Sequence, residues 1–491
     1  MTDALANFSR PDSLFIGGDW TKPASDARFD LISPSTEERL GSVAAASRAD
    51  VDRAVAAARN AFDHGPWPRM TGPERAAKLR EIADRLGERA GDFARAWSLQ
   101  VGVPFTLTQA MAGYFRGYFD YFASLADQGF EEVRSPAQGG ACMVVREPVG
   151  VSVCIAPWNA PLATMLLKVA PALAAGCTVI AKPSPETPIE ALLLAECIAQ
   201  VGLPEGVFSV LPADREVSDY LMRKPEVDKV SFTGSTVAGR YIASVCAERM
   251  ARITMELGGK SAAIILDDAK IEMVVAGIMP NLIGLAGQQC AAFSRILVSA
   301  KRRDEVTEAL AAAFRAVKVG DAFDIATQMG PIVTGRQLDR VCGYIAQGSQ
   351  GGAKLVAGGG RPSDLPKGYF VEPTLFTNVT NDMAIAREEI FGPVGSIITY
   401  RDEEDAIAIA NDSDYGLSGG VFTEDAERAY AVARRIRTGN FAMNGRVIDF
   451  TMPYGGFKLS GVGREGGVEG LHGFTEVKAI FMSEAPAHLR G

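Results

Sequence analysis

Between Val149 and Leu266 the chain alternates short apolar runs with segments of helical spacing. Val149–Ala156, Cys177–Ala181, Val207–Leu211 and Val227–Phe232 read as buried strands, and stretches through Leu173 and onward from Pro188 read as helices. Strands and helices alternating at this length predict βαβ units and a parallel sheet. A second series follows, with strands at Ala262–Leu266, Ser294–Val298, Ile397–Thr399 and Gly420–Phe422, and predicts a second α/β unit. Ligands of such sheets sit outside the carboxyl ends of the strands. Trp158-Asn159, Lys182-Pro183-Ser184 and Thr233-Gly234-Ser235 each fall at such an end.

The flanking segments are less regular. Leu14–Trp20 predicts a short strand entering a turn. Ser47-x-x-Asp50 and Thr71-x-x-Glu74 have the form of capping boxes, each before an apolar stripe at helical spacing. Six aromatics between Tyr114 and Phe122 fall largely at helical spacing and fit helix packing or a subunit contact better than a ligand box. Gln128–Glu147 reads as a hairpin around Gly139-Gly140, and Val477–Met482 as a final strand. The Gly- and Pro-rich stretch Gly351–Lys367 is expected to be a surface loop.

Composition narrows the field. A chain of 491 residues needs more than one core. Its 47% hydrophobic and 22% charged residues are ordinary for a globular enzyme. The net charge of −9 argues against nucleic acid or an anionic membrane as partner. Met1–Ser13 lacks the basic start and apolar run of a signal peptide, and no apolar stretch is long enough to span a bilayer. Seven cysteines lack metal or disulfide spacing, so a reducing, cytoplasmic setting is expected. Three histidines, none in a cluster, leave no basis for a metal site or a Ser-His-Asp triad.

Two stretches carry candidate chemistry. In Gly287-Gln-Gln-Cys-Ala-Ala-Phe-Ser-Arg295, Cys290 is either a small buried apolar residue or a nucleophile. As nucleophile it needs surroundings that lower its pKa, such as a helix N-terminus or a nearby cation. In Met255-Glu-Leu-Gly-Gly-Lys-Ser261, Glu256 ends an apolar run before a Gly-Gly turn, and alone would read as a solvated or ion-paired acid. Phe232-Thr-Gly-Ser-Thr-Val-Ala-Gly239 joins a strand to a helix, and suits a pyrophosphate or is simply a capped turn. Gly461-Val-Gly-Arg-Glu-Gly466 matches G-x-G-x-x-G, but it follows a loop and precedes a glycine-rich segment, so it is rejected as a dinucleotide site.

Taken together, Glu-Leu-Gly-Gly-Lys-Ser, Gly-Gln-Gln-Cys, Glu388-Glu-Ile-Phe-Gly-Pro393 and the Pro453-Tyr-Gly-Gly segment running to Glu465 resemble the aldehyde dehydrogenase superfamily over nearly the whole chain. The resemblance implies an α/β fold with a Rossmann-type cofactor domain (1–127 and 148–258), an α/β catalytic domain (259–472) and a small β oligomerisation arm (128–147 and 473–491). It implies a homodimer or homotetramer and oxidation of an aldehyde to its acid with NAD, NADP being the alternative. Cys290 would attack the aldehyde, Asn159 and the Cys290 N–H would hold the oxyanion, and Glu256 would activate water to release the acid. Cofactor contacts are implied at Ile155, Trp158, Lys182, Ser184, Gly234, Ser235, Gly239, Leu257, Glu389 and Phe391. Glu256 disfavours a member that passes the acyl group to coenzyme A. The presence of Cys290, Glu256 and Asn159 disfavours a non-catalytic relative, and no basic cluster, Arg446 apart, favours a phosphorylated substrate. Pro185 stands where many NAD-preferring members have Glu, leaving cofactor choice open. Ala160 replaces a common aromatic and, with Leu167, points to a medium-length or bulky apolar aldehyde.

Overall fold

The computed structural model describes residues 8–489. The outermost residues of the first and third expected segments, 1–7 and 490–491, lie outside it.

Two large sheets dominate. In the first, the strand order is Asp19–Thr21 (β2), Leu14–Ile16 (β1), Phe208–Val210 (β9), Thr178–Lys182 (β8), Val151–Ile155 (β7), Lys229–Thr233 (β10), Arg252–Glu256 (β11) and Gly461–Val462 (β21). The five central strands from β9 to β11 run parallel. Every residue of β7 and β8 is buried, as expected for strands covered by helices on both faces. Separate apolar clusters line the two faces, one holding Cys154, Val179 and Ala181, the other Val153, Ile155 and Ile180. From β7 the chain moves outward through β8 and β9, then returns to place β10 on β7's other side. That reversal opens a crevice at the carboxyl ends of β7 and β10.

The second sheet has the order Lys354–Ala357 (β14), Thr374–Val379 (β15), Val394–Tyr400 (β16), Arg295–Ser299 (β13), Ala262–Ile265 (β12), Ser418–Phe422 (β18) and Asn440–Met443 (β19). It is parallel except at β14. Here one expectation is corrected: residues 351–367 are not only a loop, because β14 lies within them as an antiparallel edge strand on β15. Glycine and proline dominate the composition there, but the Leu-Val pair between them finds a partner strand that only the tertiary fold supplies.

Three smaller pieces complete the fold. Glu131–Arg134 (β5) and Ala141–Pro148 (β6) form the expected hairpin, and Thr475–Met482 (β22) pairs along all of β6. Arg28–Ile32 (β3) pairs Arg39–Ala44 (β4), and Tyr415–Gly416 (β17) pairs Phe457–Lys458 (β20). The rejected G-x-G-x-x-G segment enters as β21, antiparallel to the end of β11, with Gly461 opposite Glu256. Both capping boxes close as expected, at the helices Arg48–His64 and Gly72–Glu88. No helix among the described residues is long and apolar enough to cross a membrane.

Arg295 ties the second sheet to its loops. Fully buried, its guanidinium donates to the carbonyls of Lys260, Ile409 and Ala410 and to Asn381 Oδ1 at 2.9–3.0 Å. Arg295→Met would leave those acceptors buried without donors and is expected to cost about 3 kcal/mol or more. Urea unfolding would report a lower midpoint, and an unchanged midpoint would remove Arg295 from this role.

Candidate functional site

The site is assembled by backbone turns that approach too closely for any side chain. A Cβ on Gly259 would lie 2.3 Å from the Cys290 carbonyl oxygen, so the turn after Glu256 packs directly on the cysteine's backbone. Gly287 has φ +69°, and a Cβ there would lie 2.3 Å from the Gly392 carbonyl. Leu285 and Ala286 share the left-handed region at φ 51°. Three successive left-handed residues are costly, and are held only where the surroundings over-determine them. Gly258 in turn abuts the Glu389 carboxylate, which accepts from the Gly259 N–H at 3.1 Å. The stretches around Cys290, Glu256 and Glu389, far apart in sequence, thus meet at one place.

Asn159 joins them from the carboxyl end of β7. It is buried, its Nδ2 donates to the Gln288 carbonyl at 2.8 Å, and its own carbonyl accepts from Trp97 Nε1 at 3.0 Å. One of its two amide protons remains for a ligand. The helix Pro161–Ala175 begins just beyond, with proline in its first turn where no N–H is required.

The cysteine's surroundings correct one expectation. Cys290 is part-exposed and lies in the loop between a short 3-10 turn, Gly284–Gly287, and β13, not itself at the start of a helix. Burial pushes its thiol pKa up rather than down, and Glu389 and Glu256 add to the rise. Two groups oppose this: the Tyr454 hydroxyl, 3.6 Å from the sulfur, and the Arg446 guanidinium. Neither Tyr454 nor the reach of Arg446 to Cys290 was legible from spacing. The Pro-Tyr-Gly-Gly motif was the one signal for Tyr454.

Glu256 is buried at 3% exposure, and neither carboxylate oxygen has a hydrogen-bond partner. A Cβ on Gly455 would sit 2.6 Å from its Oε1, so that glycine leaves the carboxylate its space. Burial and the negative charge of Glu465 raise its pKa well above the carboxylate range, against Lys168 and Arg464. Glu465 is ion-paired with buried Lys168, which also donates to Thr233 Oγ1 at 2.6 Å, and accepts from Ser231 Oγ at 3.2 Å. This buried polar cluster went unread in the sequence, since Lys168 lies within an apolar helix and Glu465 within the rejected glycine motif.

The remaining candidates line the crevice. Lys182 ends β8 with its amine buried and only a long 3.5 Å contact to the Ala213 carbonyl, and burial lowers its pKa to about 8. Ser235 caps the helix Thr236–Ala247 by accepting from the Ala238 N–H at 3.3 Å, and Gly234 leads into it. Gly239 leaves room for Leu257, whose Cδ2 would lie 2.3 Å from a Cβ there. Ile155, buried, ends β7, and the Trp158 ring meets Phe391 edge-on with centroids 5.2 Å apart. Burial raises Glu389 to about 7. Ser184 donates to Glu186, a carboxylate that also acts on Lys182. Glu186 carries no motif signal of its own, because it lies one position beyond Pro185, where many NAD-preferring members have Glu.

The thiol's position gives a direct test. Alkylation of Cys290 by iodoacetamide, followed at its own peptide by mass spectrometry, should rise with pH through a midpoint above the ordinary thiol value. Tyr454→Phe removes the donor that lowers that value and should shift the midpoint upward. An unmoved midpoint would exclude the hydroxyl from control of the thiol.

Comparison with known proteins agrees with this geometry. The sequence model of the Aldehyde dehydrogenase family matches residues 20–480. A geranial dehydrogenase from Castellaniella defragrans is 45% identical over 471 residues, covering 96% of this chain and 98% of the relative. A 3-succinoylsemialdehyde-pyridine dehydrogenase from a Pseudomonas species is 45% identical over 474 residues, covering 95% and 97%. The crystal structure of a Mycobacterium tuberculosis aldehyde dehydrogenase complexed with NAD+ superposes with a TM-score of 0.94 at 45% identity, covering 96% of this chain and 98% of that one. A Staphylococcus aureus betaine aldehyde dehydrogenase in complex with NAD+ gives 0.96 at 36% identity, covering 99% and 98%. With the matched model spanning nearly its whole length and the cysteine, carboxylate and amide motifs converging in space, this chain belongs to the aldehyde dehydrogenase family.

Proposed function

We propose that this chain oxidises an aldehyde to the carboxylic acid with NAD, through a thiohemiacetal and then a thioester on Cys290. The observation that carries the reading is the packing of the Gly258-Gly259 turn on Cys290, which brings a buried carboxylate, Glu256, to the nucleophile's side.

The crevice residues fit a dinucleotide. The buried Lys182 amine has donor capacity to spare for a ribose hydroxyl. The Ser235-capped helix start offers N–H groups to a pyrophosphate. Glu389, held by the Gly259 N–H, would take the nicotinamide ribose, and Trp158 with Phe391 would border the ring. Ile155, Ser184, Gly234, Gly239 and Leu257 would complete the cradle. Bound there, the cofactor supplies the hydride acceptor.

The chain's own residues do the rest. Cys290 loses its proton and its sulfur bonds to the aldehyde carbon, turning the carbonyl oxygen into an oxyanion. The Asn159 amide and the Cys290 N–H would donate to that oxyanion; losing one such donor typically costs about 100-fold or more. With the carbon oxidised to a thioester, Glu256 takes a proton from water, the water oxygen attacks the acyl carbon, and the acid departs as the thiol re-forms. A carboxylate whose pKa is raised by burial is the stronger base for that step, and it works once pH has removed its proton.

Other parts of the reading rest on particular residues. Ala160 and Leu167, both part-buried, leave apolar room for a medium-length or bulky aldehyde, in keeping with the named geranial relative. Glu186, bonded to Ser184 beside Lys182, supports NAD over a cofactor bearing an extra phosphate. The two sheets would divide the work as cofactor and catalytic domains. Exposed Val477, Ile480, Phe481 and Met482 on β22 support the arm as a homo-oligomer contact, and seven free thiols suit the cytoplasm.

Absorbance of reduced nicotinamide, followed with a panel of aldehydes and no coenzyme A, should show turnover with NAD. Cys290→Ser should abolish it while NAD still binds, and near wild-type turnover by that variant would end the mechanism. Glu186→Ser should raise the NADP-to-NAD ratio of kcat/KM by roughly tenfold; an unchanged ratio would move cofactor choice elsewhere.

A further inference from the structure

Arg446 is a cation without an anion. One of its terminal nitrogens donates to Oε1 of Gln289, the residue before Cys290. The Gln289 amide is oriented for this, because its Nε2 donates to the carbonyls of Gly284 at 2.6 Å and Asn281 at 3.4 Å. The titratable groups facing the guanidinium are the Tyr454 phenol and the Cys290 thiol, and no carboxylate pairs with it among the described residues.

A guanidinium has five N–H donors in a planar fork matched to a carboxylate, and a single amide oxygen leaves most of them free. Arg446 is part-exposed, and a charge partly withdrawn from water is stabilised further by a charged partner. The loop that carries Arg446 is not adrift. Phe450 stacks on Tyr118 with centroids 4.3 Å apart, and the Tyr121 hydroxyl donates to the Thr451 carbonyl at 3.1 Å. Gly117 gives the Phe450 ring its space. The guanidinium is therefore held beside the nucleophile from both ends, through Gln289 and through the Phe450 anchor.

We infer that Arg446 is a specificity-determining residue that pairs with a carboxylate carried by the substrate, so that the preferred aldehydes are semialdehydes with an acid function beyond the reacting carbon. The inference rests on the reading above that Cys290 attacks the aldehyde. An apolar linker between the two functions would lie against the Ala160 and Leu167 wall.

The test compares aldehydes of similar length with the wild-type enzyme and NAD: 4-oxobutanoate against pentanal, and 6-oxohexanoate against heptanal. The wild type should favour one acid-bearing member over its alkyl counterpart in kcat/KM. Arg446→Met should cut that preference by roughly tenfold or more, and Arg446→Lys should restore part of it. A preference that is absent in the wild type, or equal in wild type and Arg446→Met, overturns the inference. So does an Arg446→Met variant that slows both members alike while raising the pH midpoint of Cys290 alkylation, which would make Arg446 a thiol-activating residue instead. Silence of the wild type with all four aldehydes would count against the dehydrogenase reading itself. A measurement free of turnover remains in that case. Succinate should protect Cys290 from alkylation in the wild type and not in Arg446→Met, and equal protection in both overturns the inference.

Discussion

Close backbone approach around Cys290 is the constraint on which the site depends. Gly259 lies over the cysteine's carbonyl, Gly287 lies against Gly392, and Gly258 lies against Glu389. A methyl group at Gly259 or Gly287 would drive two turns apart, and one at Gly258 would displace the Glu389 carboxylate. Because the turns belong to different stretches of chain, separating them would separate the thiol from the buried carboxylate and from the crevice. The left-handed residues Leu285 and Ala286 are the local cost of this arrangement. Loop packing against Gly392 and the Gln288 bonds to Val333 and Leu285 hold them there.

Burial then sets the electrostatics. Charged forms are disfavoured out of water, so Glu256 and the Cys290 thiol are pushed toward their neutral forms and the Lys182 and Lys260 amines are pushed the same way. The molecule answers with partners at some places and leaves others open. Glu465 has Lys168 and Ser231, whereas both Glu256 oxygens and the Lys260 amine have none. Unpartnered groups are expensive for a fold and are concentrated at functional sites. Here Glu256 lies beside the thiol and Lys260 beside Glu389, while others, such as the buried Glu190 carboxylate, lie elsewhere in the fold.

The crevice itself follows from sheet topology. Parallel strands deliver Ile155, Lys182 and Thr233 to one edge, and the reversal between β7 and β10 leaves that edge open. β21 then seals the flank of β11 and fixes Glu256 opposite Gly461. The glycine motif that resembled a dinucleotide fingerprint thus serves as an edge strand against the buried carboxylate's own strand.

Much of this was legible beforehand because it is local. Apolar runs bounded by helical spacing marked β7, β8, β9 and β10, and the two capping boxes marked helix starts within a residue. Motif spelling marked Cys290, Glu256 and Glu389, since short-range chemistry of turns and glycines is written in consecutive residues. What remained hidden depends on contacts between distant segments. The edge strand β14 needs β15 as partner, Tyr454 and Arg446 reach Cys290 only after the C-terminal loops fold over it, and Lys168 meets Glu465 across most of the chain. The thiol's raised pKa is likewise a property of burial, and burial is decided by which segments close over a residue. The sequence alone therefore determined the elements and the identity of the candidate reactive groups, while the tertiary structure decided their company and so the direction of their pKa shifts.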